Sequence, residues 1–171
     1  MIKEIITGDA TDPNLNPGDI IIGMNSKLAQ ASAIGRPFVS NVNLVKQIDL
    51  GSVVTFDFGK GRQLHMLICH KIGKGGWVSA DRFVRFCLDY LWKEHRDRKY
   101  GIVQIGTGPV GRRDGADPAI IRTAMANSFL EMNLFIAPER KEAVASVARP
   151  PLVPFRTWSM EKGEREIHVT H

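Results

Sequence analysis

Seven residues, Asp19-Ile20-Ile21-Ile22-Gly23-Met24-Asn25, constrain the fold of this chain more than any others. From Ile20 to Met24 the run is apolar without alternation, which suits a strand buried on both faces, and such a strand requires a sheet covered on either side. Residues 2–7 form a second strand candidate, separated from the first by the turn-rich Asp9-Ala10-Thr11-Asp12-Pro13-Asn14 and Asn16-Pro17-Gly18. Ser52 to Phe58 and Gln63 to His70 flank Gly59-Lys60-Gly61-Arg62, a hairpin pattern with a glycine turn.

Helical spacing marks other segments. Phe83, Phe86, Cys87, Tyr90 and Leu91 behind Ser79 predict an amphipathic helix of about five turns. A short strand is expected at 102–105. Asp117-Pro118 then opens a helix, with Asp as N-cap and Pro at the first helical position, whose face carries Ile121, Ala124, Met125, Ser128, Phe129 and Met132. Leu134-Phe135-Ile136 follows as a short apolar run. A brief helix is expected from Lys27 to Ile34, ending at Gly35-Arg36-Pro37, whereas residues 38–51 carry no pattern. Pro138 could open another short helix, to about Val147. Prolines in Arg149–Trp158 exclude a central strand and predict an extended surface segment, and Ile167 and Val169 suggest a final edge strand. Strands alternating with helices predict an α/β chain, three-layer α/β/α around a central mixed sheet. The expected organisation is one domain over residues 1–148 and a Pro-rich extension over 149–171 that packs on it or on a partner.

Composition narrows the function classes. At 171 residues the chain suits one domain, and 43% apolar with 24% charged residues is ordinary for a soluble globular protein. No apolar run reaches bilayer length and no secretory leader is recognisable, so a cytoplasmic protein without a membrane partner is expected. Cys69 and Cys87 lack metal or redox spacing and are expected to be small core residues. The net charge of +5 favours anionic partners, nucleotide or nucleic acid. The mixed run Lys93–Lys99 is expected to be a solvated helix end.

The chemistry concentrates at Gly106-Thr107-Gly108-Pro109-Val110-Gly111-Arg112-Arg113. Three glycines in six residues let the backbone approach a ligand and turn N–H groups into a concavity. Two arginines follow, and guanidinium groups suit phosphate oxygens. The segment therefore serves either as a phosphate cradle or as a surface turn with solvated arginines. The histidines offer no paired base; His70 stands out because it precedes the glycine- and lysine-rich Lys71-Ile72-Gly73-Lys74-Gly75-Gly76. Neither a Walker pattern, a Gly-x-Ser-x-Gly elbow nor zinc spacing is present, and no cofactor is expected.

Taken in order, three segments resemble a macro domain, the α/β/α fold that binds ADP-ribose. Gly8-Asp9-Ala10-Thr11 resembles its Gly-Asp-Ile-Thr motif, Ile20 to Ser26 its strand ending in Asn-Ala-Ala-Asn, and Gly106 to Gly111 its Ser-Thr-Gly-(Ile)-(aromatic)-Gly loop. The resemblance covers about residues 2–136. It implies Asp9 as acceptor for the adenine amino group, Asn25 beside the distal ribose, and Gly106, Thr107, Gly108, Val110 and Gly111 around the diphosphate. For Asp9 and Asn25 the residues alone equally allow a turn-forming carboxylate and a strand-end cap. The family's Gly-Gly-Gly segment is absent, with Ala29-Gln30-Ala31-Ser32-Ala33 in its place. Pro109 removes a donor and Val110 replaces an aromatic; Arg112 is expected to offset the lost donors with charge. The implied partner is a nucleotide-type small molecule such as ADP-ribose. Two other functions stay open: hydrolysis of an ADP-ribosyl or phosphate-ester bond, with no catalytic residue assigned, and a basic module for nucleic acid or protein.

Overall fold

The computed structural model describes residues 1–138 and, as backbone alone, the strands 155–159 and 163–167. Among the described residues, eight strands form one sheet: β1 (Ile2–Thr7), β2 (Asp19–Asn25), β3 (Val53–Gly59), β4 (Arg62–His70), β5 (Tyr100–Val103), β6 (Met132–Ile136), β7 (Phe155–Ser159) and β8 (Gly163–Ile167). Their spatial order is β1-β6-β5-β2-β4-β3-β7-β8. The first five strands of that order are parallel to their neighbours, and the last three join antiparallel. The sheet is mixed.

Strand β2 lies centrally between β5 and β4. Its side chains alternate between two cores, as a strand buried on both faces demands. Ile21 joins Leu67, Cys69, Ile102 and Leu134 on one face; Ile20, Ile22 and Met24 join Leu64, Met66, Ile68 and Phe135 on the other. The first face is covered by α2 (Ala80–His95) and α4 (Pro118–Ala126). In α2 the buried residues Val84, Cys87, Leu88 and Leu91 recur at helical spacing. Fully burying a leucine there contributes about 1.5–3 kcal/mol. Asp117 caps α4 as its sequence predicts, accepting from Ile120 N–H at 3.2 Å. The second face is covered by residues 28–50, which include Leu28, Ile34, Ile48 and the short α1 (Arg36–Val39) with Phe38.

The hairpin turns at Lys60 and Gly61, with φ of 55° and 77°, the doubly positive pattern that matches strand twist. Cys69 and Cys87 are fully buried, and burial raises the Cys69 thiol to about 12, so both act as small core residues.

Several expectations need correction. No helix runs from Lys27 to Ile34; the chain turns there, because Asn25 Oδ1 accepts from Lys27 and Ala29 N–H at 3.0 and 3.2 Å and competes with helical bonding. The strand expected at 102–105 is Tyr100–Val103, set by Asp19↔Tyr100 pairing. Residues 155–158, expected as a surface segment, form β7 between β3 and β8; the prolines at 150, 151 and 154 precede it. The expected edge strand is β8. The helix expected from Pro138 falls largely outside the described residues, as do residues 149–154 and Val169. Among the described residues no helix is long and apolar enough to cross a membrane.

Candidate functional site

Parallel strands bring their C-terminal ends to one edge of the sheet, and in open α/β sheets ligands gather there. Here a cavity of about 440 Å³ opens at the ends of β2 and β5. Its floor is Ile22, Gly23, Met24 and Asn25 from β2 with Val103 from β5. Gly23 is required by packing: a Cβ there would meet Ile105 at 2.9 Å.

Residues 106–111 form one wall. Gly106 turns the chain at φ 88°, and α3 (Pro109–Asp114) starts from Gly108. This helix is absent from the sequence expectation, which read a loop. Gly111 packs so tightly that a Cβ would lie 2.8 Å from the Gly106 carbonyl oxygen. Gly108 is different: its φ of −73° suits any residue, and nothing lies within 4 Å of where its Cβ would be. Backbone bonding resumes only with Arg112 N–H to Gly108 O (3.0 Å) and Ala116 N–H to Gly111 O (2.8 Å). The N–H groups of Thr107, Gly108, Val110 and Gly111 take no partner among the described residues. Such groups at a concave turn are ready donors for an anion.

The facing wall comes from Gln30, Ala31, Ser32 and Arg36. Gln30 and Leu28 hold φ of 51° and 53°, conformations that glycine adopts without strain. The Gly-Gly-Gly segment is missing from the sequence, yet left-handed geometry is present on this wall. Arg36 is exposed and adds a cation; one of its Nη atoms lies 3.4 Å from Ala31 O.

His70 and Trp77 close a third side, their rings stacked at 3.8 Å and 10°. His70 Nδ1 lies 3.3 Å from the Lys71 carbonyl oxygen, which can only accept. The proton of the neutral ring is therefore on Nδ1, and Nε2 carries the lone pair. Burial lowers the pKa of His70 below the usual histidine value and keeps it neutral.

The sequence-predicted residues divide. Asn25, Gly106, Thr107, Gly108, Val110 and Gly111 come together around the cavity. The Asn25 amide is engaged in the following turn, bonded with Lys27 N–H and with both backbone groups of Ala29. Asp9 does not line the cavity; its Oδ1 accepts from Thr11 N–H at 2.8 Å and Thr11 Oγ1 at 2.7 Å, an Asx-type turn. Arg112 is exposed on the last turn of α3, away from the lining, and Arg113 bonds its neighbour Asp114 at 3.0 Å. Both follow from the helical path at 109–114, which carries these arginines past the turn amides. Arg36, His70 and Trp77 gave too little signal in the sequence to be placed here; only the glycine-rich run after His70 hinted at it.

A second polar cluster lies at the opposite, N-terminal end of the strands. Thr55 Oγ1 is 2.9 Å from His65 Nδ1, and His65 Nε2 is 2.8 Å from Asp19 Oδ2. Hydroxyl, imidazole and carboxylate stand in line, but Thr55, His65 and Asp19 do not line the cavity, and His65 is wholly buried. This network is structural.

No protein-family model matches the chain, and no curated protein matches it. Solved structures do. The macrodomain of Mycobacterium tuberculosis DarG matches at TM-score 0.54 and 12% identity, over 80% of this chain and 98% of that one. A macrodomain protein from Streptomyces coelicolor matches at 0.52 and 12%, over 78% and 97%. A protein of unknown function from Bacteroides thetaiotaomicron matches at 0.54 and 15%, over 78% and 97%. These likenesses show the fold: this chain folds like a macrodomain.

Proposed function

We propose that the cavity binds ADP-ribose or a related nucleotide diphosphate, its pyrophosphate held by the turn amides between Thr107 and Gly111. One observation carries this reading: four N–H groups without a partner among the described residues belong to one cavity wall, beside open space at Gly108. Backbone donors suit phosphate oxygens without needing a basic side chain at each contact. Arg36 supplies the charge from the facing wall, in place of the Arg112 named from sequence. Asn25 shapes the floor, its amide serving the turn beneath the ribose. Asp9 and Arg112 stand outside the lining, and the proposal gives them no direct contact. The macrodomain fold supports the ligand class, since the three matched motifs come in the order seen in ADP-ribose-binding members. Calorimetry with ADP-ribose tests it: saturable binding that is lost in Gly108→Val is expected. No heat at millimolar ligand overturns the reading.

The second reading, hydrolysis of an ADP-ribosyl or phosphate-ester bond, is favoured by His70 alone. A neutral imidazole with its lone pair on Nε2 beside a ligand cavity is equipped to take a proton from water. Turnover of an ADP-ribosylated peptide that disappears in His70→Gln, with ADP-ribose still bound, is the expected signature.

A further inference from the structure

A larger groove, about 700 Å³, lies at the other end of the sheet, where β1, β5 and β6 begin. It is independent of the ADP-ribose reading. Phe129 dominates its surface, with 72% of the residue exposed. That exposure is imposed by the loop. Ser128 and Leu130 on either side are buried, and Ser128 Oγ accepts from Leu130 N–H at 3.1 Å, so the ring between them is held outward. Its centroid lies 5.4 Å from that of Trp92, tilted by 40°. The Arg96 guanidinium sits 5.1 Å over the Trp92 ring.

Two aromatic faces and a guanidinium plane thus stand beside one another at a solvent surface. Charge decides the partner. Arg96 and Lys99 are exposed, line the groove and are held in no ion pair among the described residues. Lys3 adds a third cation, though it shares its charge with Glu131 at 3.6 Å, both side chains being well exposed. Arg98 is already committed to Asp19 at 2.6 Å, and Glu4 is the remaining opposing charge. An acidic peptide would satisfy Arg96 and Lys99 but leave Phe129 bare. A base offers a π face to the ring and a phosphate to the cations. In a duplex the base faces are stacked away, so the ligand is a single strand.

We propose that this groove binds single-stranded nucleic acid, stacking a base on Phe129 and holding phosphates with Arg96 and Lys99. Neutralising two phosphates gives a dependence of log K on log salt of about −1.4, since single strands contribute about −0.7 for each.

The test is fluorescence anisotropy of a labelled oligothymidylate of about fifteen nucleotides, a length covering common single-strand sites, with the full chain across a salt series. Expected is saturable binding with that slope. Phe129→Ala should weaken binding about tenfold at unchanged slope, and Lys99→Ala should remove about 0.7 of the slope. Because both side chains are exposed, unchanged thermal denaturation is expected for each variant. Gly108→Val, which fills the other cavity, should leave oligonucleotide binding intact. The proposal is overturned by absent binding, by Phe129→Ala binding as the parent does, by equal affinity for a duplex, or by loss of binding in Gly108→Val. Displacement of the oligonucleotide by polyglutamate at equal charge concentration also overturns it and points to an acidic protein partner.

Discussion

His65 and Asp19 share a hydrogen bond of 2.8 Å, Nε2 to Oδ2, with side chains only 1% and 2% exposed. Burial outweighs the pull of the carboxylate and lowers the histidine pKa below its usual 6.5. A neutral ring fits the geometry: Nε2–H donates to Asp19, and Nδ1 accepts from the Thr55 hydroxyl at 2.9 Å. Burial would raise Asp19, but hydrogen bonds from His65 and Arg98 outweigh it and bring the carboxyl from 3.8 to about 2.

Stability should therefore fall in two stages as pH drops. Below about 6.5 the unfolded chain gains a proton on His65 that the folded chain resists, so stability declines as pH falls past that value. His70, also lowered by burial, adds to this stage. Asp19 contributes fully above 3.8, and that contribution is lost as pH falls from there toward about 2. Denaturant midpoints measured across pH check this. His65→Gln keeps a donor for Asp19 without titrating near neutrality, and should flatten part of the first stage. An unchanged profile in that variant would assign the proton uptake elsewhere.

Asp19→Asn should be far more damaging. Asp19 accepts from His65, from Gln63 N–H at 3.0 Å, and from Arg98 at 2.6 and 2.7 Å. Removing one partner of a buried pair costs about 3–5 kcal/mol. The Arg98 side chain is 33% exposed and can recover some hydration, which places the expected loss near the lower figure, about 3 kcal/mol. Equilibrium urea denaturation measures it.

Much of this architecture was legible in the residues, and the exceptions have physical causes. Ile20 to Met24 announced a doubly buried strand because no polar residue interrupts them, and Asp117-Pro118 announced a helix start because capping is local. The path of residues 27–34 was not legible: helical propensity there loses to the Asn25 side chain, whose bonds form only once β2 has placed it. Arg98 was expected to be solvated with its charged neighbours, but its carboxylate partner lies 79 positions earlier in the chain. Around the cavity, the Gly106–Gly111 wall carried a glycine signal. Arg36, Gln30 and Trp77 did not, since their roles depend on which wall the irregular chain builds.

Arg36 and Arg112 separate the cavity lining from the site expected from sequence. Arg36 lines the cavity, whereas Arg112 is exposed on the last turn of α3 and is not among the lining residues. Arg36→Ala should weaken ADP-ribose binding about tenfold, the loss of one charge-assisted contact of about 1.5 kcal/mol. Arg112→Ala should change it less than twofold. Calorimetry on the two variants decides, and the reverse ranking would return the phosphates to the Arg112 side.

Gly108 and Gly111 should fail in opposite ways when given a methyl group. At Gly111 the new Cβ would lie 2.8 Å from the Gly106 carbonyl oxygen and 3.1 Å from its Cα, so backbone must shift. Overpacking of this kind costs about 1–3 kcal/mol, and Gly111→Ala should lower the denaturation midpoint. At Gly108 the backbone is extended and the space is empty, so Gly108→Ala should cost under about 1 kcal/mol, the loss of a glycine N-cap. Its methyl group would nonetheless extend into open space on the cavity wall, where the proposed binding mode brings a phosphate. Affinity for ADP-ribose should drop at least tenfold while the fold is nearly unchanged. Should Gly108→Ala bind as tightly as the parent, that space is not where the pyrophosphate sits.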